Sequence, residues 1–598
     1  MHSSSHDSET YNLETPQSTT GRDLSRRGLL AAAGAGALGA AVGWVPAFRI
    51  SAADAAVTLP TPPGFPSGIP LYQQAYQNWS EEITIEAAWT CAPQNPAEVV
   101  TVVNWANANG YRVRPKGKGH GWSPFLVPSG ANMDKFLLVD TTQHLTASTI
   151  DSSGSPKTVT AQAGITMDSL LVTLEAAGLG LAATPAPGNL TLGGVLAVNA
   201  HGSAIPAAGE SRPGGMSYGS LSNLIRSLTA VVWDPAQNKY VLKTFQRTDP
   251  DIKPFLSHLG RAFITEVTLQ VGANQRLRCT SRYDIQVTDV FAAPASAGSN
   301  SFAGLLNGCG RIEVIWFPFT TVPWIKQWYV KPSKPLLSRQ VNGPYNYTFA
   351  NFIDQATSDF LSQVVAGNVS GTPTFENGEM AIVGSGLITT GTWDIWGWSK
   401  NTLLYVQPTT LRIVEAGYAV VTSRANIQRV VSEFYNKYVA TINAFRANGD
   451  YPMNGPIEIR VTGLDKPGEV DGIPGAVTPQ LSSVRPRPDH PEWDVCVWLD
   501  MGTIPVTPKV SRFYAQMEQW IWANYTGSYA TVRPEWSKAW AVTDSGAWTD
   551  TTVLTSTIRN TMNAGQPSND NFDTARATLN RYDPNRVFSN TFLDTLLP

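Results

Sequence analysis

Charge is scarce in this chain. Asp, Glu, Lys and Arg make up 15% of its 598 residues and sum to −3, so a nucleic-acid partner held through its phosphates is not indicated. Cysteine is scarcer still. Cys91, Cys279, Cys309 and Cys496 stand far apart with no C-x-x-C among them. That indicates neither a cysteine zinc site nor a dithiol redox centre, excludes a disulfide scaffold, and leaves room for one bridge whose pairing is not readable. Downstream of Phe48 no stretch is long and apolar enough to span a bilayer, and there is no internal repeat or low-complexity tract. What the chain does have is 42% hydrophobic residues and 19 Trp. That is a globular composition for two or more domains, with an aromatic surplus suited to a core or an apolar pocket.

Residues 1–56 read as a targeting segment and stand apart from the fold. Ser25-Arg26-Arg27-Gly28-Leu29-Leu30 precedes an Ala/Gly-rich run, and Ala53-Asp54-Ala55 offers a small-x-small cleavage site. This is the pattern of a twin-arginine export signal, which carries proteins already folded around a cofactor. A membrane anchor is the alternative, but Gly34, Gly36 and Gly39 keep the run weakly apolar. The same glycines match G-x-G-x-x-G, yet no strand precedes them, so a dinucleotide site is not read there. A secreted, extracellular protein is expected.

The stretch that organises the mature chain is Arg112 to Pro124. Gly117, Gly119 and Gly121 alternate, Lys116 and Lys118 bring positive charge, and His120 sits between the last two glycines. Without Cβ atoms, such a backbone can turn its N–H groups onto an anion. Alone, it is equally a lysine–glycine turn. Its context is more specific. Asn95-Pro96-Ala97-Glu98 has the form of a helix start, Val99, Val103 and Ala106 fall on one face, and Gly110 stops the helix. Val113 then lies in a short extended run, so the loop follows a helix and a strand, unlike the strand–turn–helix order of a Rossmann site. Phe136 to Asp140 and Thr158 to Gly164 read as strands. A second helix begins at Thr166, with Leu170, Leu174 and Ala177 on one face and Gly178 as its stop. A second glycine-rich stretch runs from Pro187 to Gly202, where Gly193 and Gly194 can open a helix whose N–H groups face a diphosphate, or can form a packing turn.

Both loops resemble the flavin loops of the vanillyl-alcohol oxidase family, in which FAD is often bonded to a His. The resemblance implies an α+β, two-domain flavoprotein: an FAD-binding domain over 57–275, completed by 556–598, and a substrate domain over 276–555 with an antiparallel sheet covered by helices. It implies FAD bonded covalently to His120, with His201 the one rival. It places Pro115, Lys116, Gly117, Lys118, Gly119, Gly121, Trp122 and Ser123 in the first flavin loop. The second takes Gly188, Asn189, Leu190, Thr191, Gly193, Gly194, Asn199, His201 and Gly202. Tyr218, Gly219, Ser220, Ile264 in the closing strand, and Asn590 in the carboxy-terminal return add further cofactor contacts.

In the second half three charged residues stand out. Arg311 to Thr320 reads as a strand with Arg311, Glu313, Ile315 and Phe317 on one face. A Glu among Ile, Trp and Phe is costly to bury as an anion, which is how a general base for an alcohol is tuned. On the residues alone, pairing with Arg311 at a strand edge is the plainer reading. Thr422 to Phe445 has a helical pattern. Alternation in Ile457-Glu458-Ile459-Arg460-Val461 puts Glu458 and Arg460 together on one face; alone this is a cross-strand ion pair or a solvated face. In the family an E-x-R strand lines the flavin site, which implies that Arg460 stabilises negative charge and that Glu458 orients it or moves protons. Glu535-Trp536-Ser537-Lys538 replaces the His-Trp-Gly-Lys of sugar-acid members, which argues against an aldonolactone oxidase and leaves the roles of Glu535 and Lys538 open.

The resemblance is nearest to bacterial cholesterol oxidases that hold FAD covalently, also through Gly343-Pro344-Tyr345-Asn346-Tyr347 and Asp394-Ile395-Trp396-Gly397-Trp398. It implies oxidation of a 3β-hydroxysterol by O2 to give H2O2, with isomerisation of the Δ5-3-ketone to the Δ4-3-ketone, Glu313 or Glu458 moving the proton. A monomer that makes transient contact with a membrane surface to extract sterol is expected, with no metal. The rival readings are an oxidase of the same fold acting on a sugar alcohol or aromatic alcohol, and an exported flavin-binding protein without turnover.

Overall fold

The structure, a computed structural model, describes residues 59–351, 355–407 and 412–598; the expected export signal lies outside them. The described residues form three sheets. In the first, Leu71–Gln77, Thr84–Cys91, Phe136–Asp140 and Arg112–Lys116 lie side by side in that order, the last three parallel. The helix Pro96–Asn109 crosses between its parallel strands. Asn95 caps it, accepting from the Glu98 N–H at 3.0 Å, and Gly110 ends it at φ 68°. Val99, Val102, Val103 and Ala106 pack on Val113, Leu137 and Val139. This packing fixes where the strand Arg112–Lys116 ends and the glycine loop begins.

The second sheet is antiparallel, in the order Ser148–Asp151, Lys157–Gln162, Phe263–Ala273, Ile225–Asp234, Lys239–Gln246. The helix Met167–Ala176 and the short helix Leu192–Ala197 cover it. The chain leaves this sheet at Ala273 and enters the third at Arg276.

The third sheet runs Arg339–Gln340, Asp394–Trp398, Arg276–Arg282, Trp324–Val330, Arg311–Trp316, Ile457–Gly463, Val495–Thr503, Val414–Thr422, Ala530–Pro534. Period two divides its faces. Ile312, Val314, Ile457, Ile459, Val497, Leu499 and Met501 pack beneath the helices Ile427–Arg446 and Val510–Asn524. Glu313, Glu458, Arg460, Trp498 and Asp500 alternate with them and face the other way, all but Asp500 lining a cavity. The carboxy terminus returns to the first unit. Val113 donates to the Val587 carbonyl at 2.8 Å, and Arg261 pairs with Asp583 at 2.7 Å.

Two expectations need correction, and one open possibility is not taken up. The helix expected from Thr422 begins at Ile427, because Val414–Thr422 is a fully buried strand rich in β-branched residues. The strand from Arg311 ends at Trp316. It is also central rather than at an edge, and Arg311 reaches Glu210 at 3.1 Å rather than Glu313. No bridge forms: all four cysteines are free and buried.

Candidate active site

A cavity of about 360 Å³ runs from the two glycine loops to the charged face of the large sheet. The first loop takes its path because it touches the second. A Cβ on Gly117 would lie 2.2 Å from Thr191 Oγ1, and Gly119 has φ +71°, so both positions require Gly. Ser123 Oγ donates to the carbonyls of Trp536 and Lys538, at 2.5 and 2.8 Å, and the Trp122 N–H to that of Ser537, at 2.9 Å. The Glu535–Lys538 stretch therefore clamps the loop. Asn590 clamps it from behind, donating to the carbonyls of Pro124 and Phe125 at 3.1 Å each.

His120 stacks on Trp79 with ring centres 3.9 Å apart, and lines the cavity. Burial, then the Lys538 and Arg412 charges, hold it down to about 3, so the imidazole is neutral. Among the described residues no hydrogen bond engages its ring nitrogens. His201 differs. Its Nδ1 meets the Gly202 carbonyl at 3.0 Å, its Nε2 lies 3.6 Å from Glu535, and the ring stacks on Trp498 at 3.6 Å. Burial also lowers it to about 3.

Of the residues expected at the cofactor, the wall brings together 115–123, Leu190, Thr191, Gly193, Gly194, Asn199, His201 and Ile264. The others sit behind it. Gly188 packs on Asp168, Gly202 on Thr184 and Gly219 on Asp465. Ser220 Oγ donates to Asp465 at 2.9 Å and the Tyr218 hydroxyl to Glu210 at 3.1 Å. Asn189 and Asn590 are likewise off the wall. Lys116 pairs with Asp140 at 3.3 Å. The Leu192 and Gly193 N–H groups donate to Ile165 and Ala163 at 2.8 Å each, so of the two glycines expected to face a diphosphate Gly193 spends its N–H on packing.

The residues present fit a flavin nucleotide. Glycine loops line the cavity, and an added Cβ on Gly121 would meet nothing within 4 Å. Also on the wall is His258, whose buried Nε2 has no partner although its Nδ1 accepts from the Gly260 N–H at 3.2 Å. An orphaned buried polar atom at a cavity wall is what a ligand satisfies.

At the other end, adjacent strands put Glu313 opposite Arg460 and Ile315 opposite Glu458. The Tyr405 hydroxyl donates to Glu313. Arg460 pairs with Asp500 and lies 3.7 Å from Glu458. Lys538 pairs with Glu415 and lies 4.1 Å from the centre of the Trp122 ring. Burial, with the Glu313 charge beside it, raises Glu458, while Arg460 opposes the rise. Burial pulls Lys538 down to about 7 against the pull of Glu313. Gly417 leaves the room for this cluster: a Cβ there would lie 2.5 Å from Asp500 Oδ1 and 2.8 Å from Lys538 Cγ. The set is a group of carboxylates of unequal proton affinity around one guanidinium, on the wall of the cavity that both glycine loops line. It can take, hold and return protons next to a hydride acceptor.

Tyr405, Glu415, Asp500, Trp498 and His258 were not expected at the site. Asp500 and Glu415 had a readable signal: each is a lone carboxylate in an otherwise apolar strand, VCVWLDMGT and VEAGYAVVT.

Fold and site together define a two-domain FAD-dependent oxidoreductase. The comparisons with known proteins narrow this. Residues 87–234 match the family described as "FAD binding domain", and 276–598 match "Cholesterol oxidase, substrate-binding". A solved structure titled "Solvent-stable cholesterol oxidase" is 53% identical, covering 90% of this chain and 100% of that one, with a TM-score of 0.89. A cholesterol oxidase from B. sterolicum is 47% identical over 90% of this chain and 100% of its own, with a TM-score of 0.88. A His-to-Ala mutant of the Brevibacterium sterolicum enzyme is 46% identical with the same coverage and TM-score. The chain belongs to the cholesterol oxidase family, and its fold is that of an α+β flavoprotein with an FAD-binding and a substrate domain. Among curated proteins, mitochondrial L-galactono-1,4-lactone dehydrogenases of Oryza sativa subsp. japonica and Arabidopsis thaliana are each 24% identical, over 41% of this chain. The chain matches only 37% and 35% of their lengths.

Proposed function

We propose that this chain oxidises the 3β-hydroxyl of cholesterol-like sterols with FAD, uses O2 as the final electron acceptor, and isomerises the Δ5-3-ketone to the Δ4-3-ketone. Sterol oxidation by a flavin follows from the family. The observation that carries the finer reading is the cluster of buried Glu313 with half-buried Tyr405, Glu458 and Arg460 on the wall of the cavity that the glycine loops also line. Bound FAD would supply the acceptor for the C3 hydride and the route of its electrons to O2, which would leave as H2O2. The protein's part is the proton. Glu313 takes it from the 3-hydroxyl, with Tyr405 fixing the carboxylate through a hydrogen bond. Arg460 stabilises the negative charge that develops on the oxygen. Glu458, raised in proton affinity, is suited to carry a proton from C4 to C6, leaving Glu313 or Glu458 as the isomerising carboxylate.

His120 is the residue proposed to bond the flavin. The support is its neutral, uncommitted imidazole on the cavity wall, against a His201 held by Gly202 and Glu535. Residues 1–56 are proposed to export the folded holoenzyme as a monomer that meets sterol at a membrane surface. Among the described residues no helix is long and apolar enough to cross one. The test is to give the purified flavoprotein cholesterol, a sugar alcohol and an aromatic alcohol in air, following peroxide and the ultraviolet band of the enone. Peroxide and enone with cholesterol alone are expected. Peroxide only with another alcohol would overturn the substrate, and peroxide without enone would remove the isomerase. His120→Ala should leave FAD extractable by acid; flavin still bonded would move the link to His201.

A further inference from the structure

One buried charge has no place in this scheme. Lys326 lies on the strand Trp324–Val330, directly opposite Glu313 on the neighbouring strand. Its residue is fully buried and its Nζ makes no hydrogen bond. Four aromatic rings surround that nitrogen instead. It lies 3.6 Å from the centre of the Tyr347 ring, 4.3 Å from Tyr405, 4.8 Å from Trp324 and 5.4 Å from Trp328. A cage of ring faces is a site for a cation, because each face presents the negative end of a quadrupole. A lysine needed only for packing is better replaced by Met or Leu, which bury without loss of hydration.

We propose that Lys326 is a positioning residue for the Glu313 base: its caged ammonium faces Glu313 as a fixed cation and holds Tyr405 turned to donate to it. Tyr405 belongs to both halves of this arrangement. Its ring is one wall of the cage and its hydroxyl donates to Glu313. The cage also explains why the ammonium does not simply pair with Glu313. Held on ring faces, it acts through space and leaves the carboxylate's second oxygen available to a substrate proton. Other charges face Glu313. Glu458 and Arg460 face it from the neighbouring strand and Lys538 from beyond the sheet; His201 is neutral; and Arg311 on its own strand is engaged by Glu210. Around Lys326 the remaining titratable groups are the Cys279 thiol and the Tyr347 phenol, both raised by burial and so neutral. Burial lowers Lys326 itself, and Cys279 and Glu313 act against that.

The inference rests on Glu313 as the base, and the experiment separates the two. Anaerobic flavin reduction by sterol is followed across the acid and neutral range in the wild type, Lys326→Met, Lys326→Arg and Glu313→Gln. Loss of the cation should move the acid limb of the rate profile of Lys326→Met alkaline by about one pH unit or more, while Lys326→Arg leaves it in place. A second readout does not use turnover. The infrared band of protonated Glu313, identified by its absence in Glu313→Gln, should persist to correspondingly higher pH in Lys326→Met. A limb and band unmoved in Lys326→Met, or a shift in Lys326→Arg as large as in Lys326→Met, would overturn the role of Lys326. Wild-type reduction in Glu313→Gln would overturn the base reading and this inference together. Should Lys326→Met not fold, Lys326→Met/Glu313→Gln removes both charges; it should fold and reduce its flavin no more slowly than Glu313→Gln. Slower reduction would give Lys326 a role apart from Glu313 and overturn the proposal.

Discussion

Replacing Arg460 by Met separates stability from catalysis in the carboxylate cluster. Arg460 pairs with Asp500, which is wholly buried, and lies 3.7 Å from Glu458. Asp500 Oδ1 has no hydrogen-bond partner, so Arg460 supplies most of what balances that carboxylate. Met keeps the length and removes the charge. A buried carboxylate left without its cation costs about 3–5 kcal/mol. Burial already raises Asp500, so it will take up a proton when its partner is lost, and the cost should shrink as pH falls. Arg460→Met/Asp500→Asn removes both charges and should recover most of the stability at neutral and higher pH. Flavin reduction should not recover with it. A preorganised charge aimed at a developing oxyanion contributes on the order of 10²- to 10³-fold, and the double variant lacks it. The assay is thermal unfolding of the flavin-loaded variants across pH, beside anaerobic stopped-flow reduction. A double variant no more stable than Arg460→Met at neutral pH would refute the argument from an uncompensated charge. A double variant with wild-type reduction would refute the role of Arg460.

Two further predictions follow from packing and burial. Gly417→Ala puts a Cβ 2.5 Å from Asp500 Oδ1 and 3.1 Å from Glu535 Oε2, which should displace the cluster and slow flavin reduction on the order of 10- to 100-fold with FAD retained; loss of FAD with unchanged reduction in the loaded fraction would contradict this. His201 and His258 fall from 6.5 to about 3 on burial, so below pH 6.5 the unfolded chain takes up protons that the folded one refuses. Stability present above 6.5 is therefore lost as pH falls towards 3, and His258→Gln should reduce that loss by about 2 kcal/mol between roughly pH 6.5 and 5, measured as unfolding free energy.

Local chemistry was legible in the sequence, and its long-range closure was not. The helix Pro96–Asn109 could be read from Asn95, Pro96 and Gly110 because caps act within one turn. Glu458 and Arg460 share a face because period two is a property of the strand itself. The start of Ile427–Arg446 was missed because β-branched Val420, Val421 and Thr422 belong to the buried strand before it, and only pairing with Val495–Thr503 reveals that. The cluster failed to show for the same reason. Glu313, Glu458, Arg460 and Asp500 are far apart along the chain or split between strands, and sheet register brings them together, while Tyr405 and Lys538 arrive from loops through contacts with Glu313 and Glu415. A cross-strand partner such as Lys326 is invisible until Glu313 has a neighbour.

The central claim is that Glu313 takes the hydroxyl proton as hydride leaves C3. Single-turnover reduction of fully loaded Glu313→Gln by cholesterol tests it most directly. The account predicts slowing by roughly 10²-fold or more, with the flavin spectrum and sterol binding retained. Reduction at the wild-type rate would contradict it and place the base on another carboxylate of the cluster, with Glu458 the first to replace.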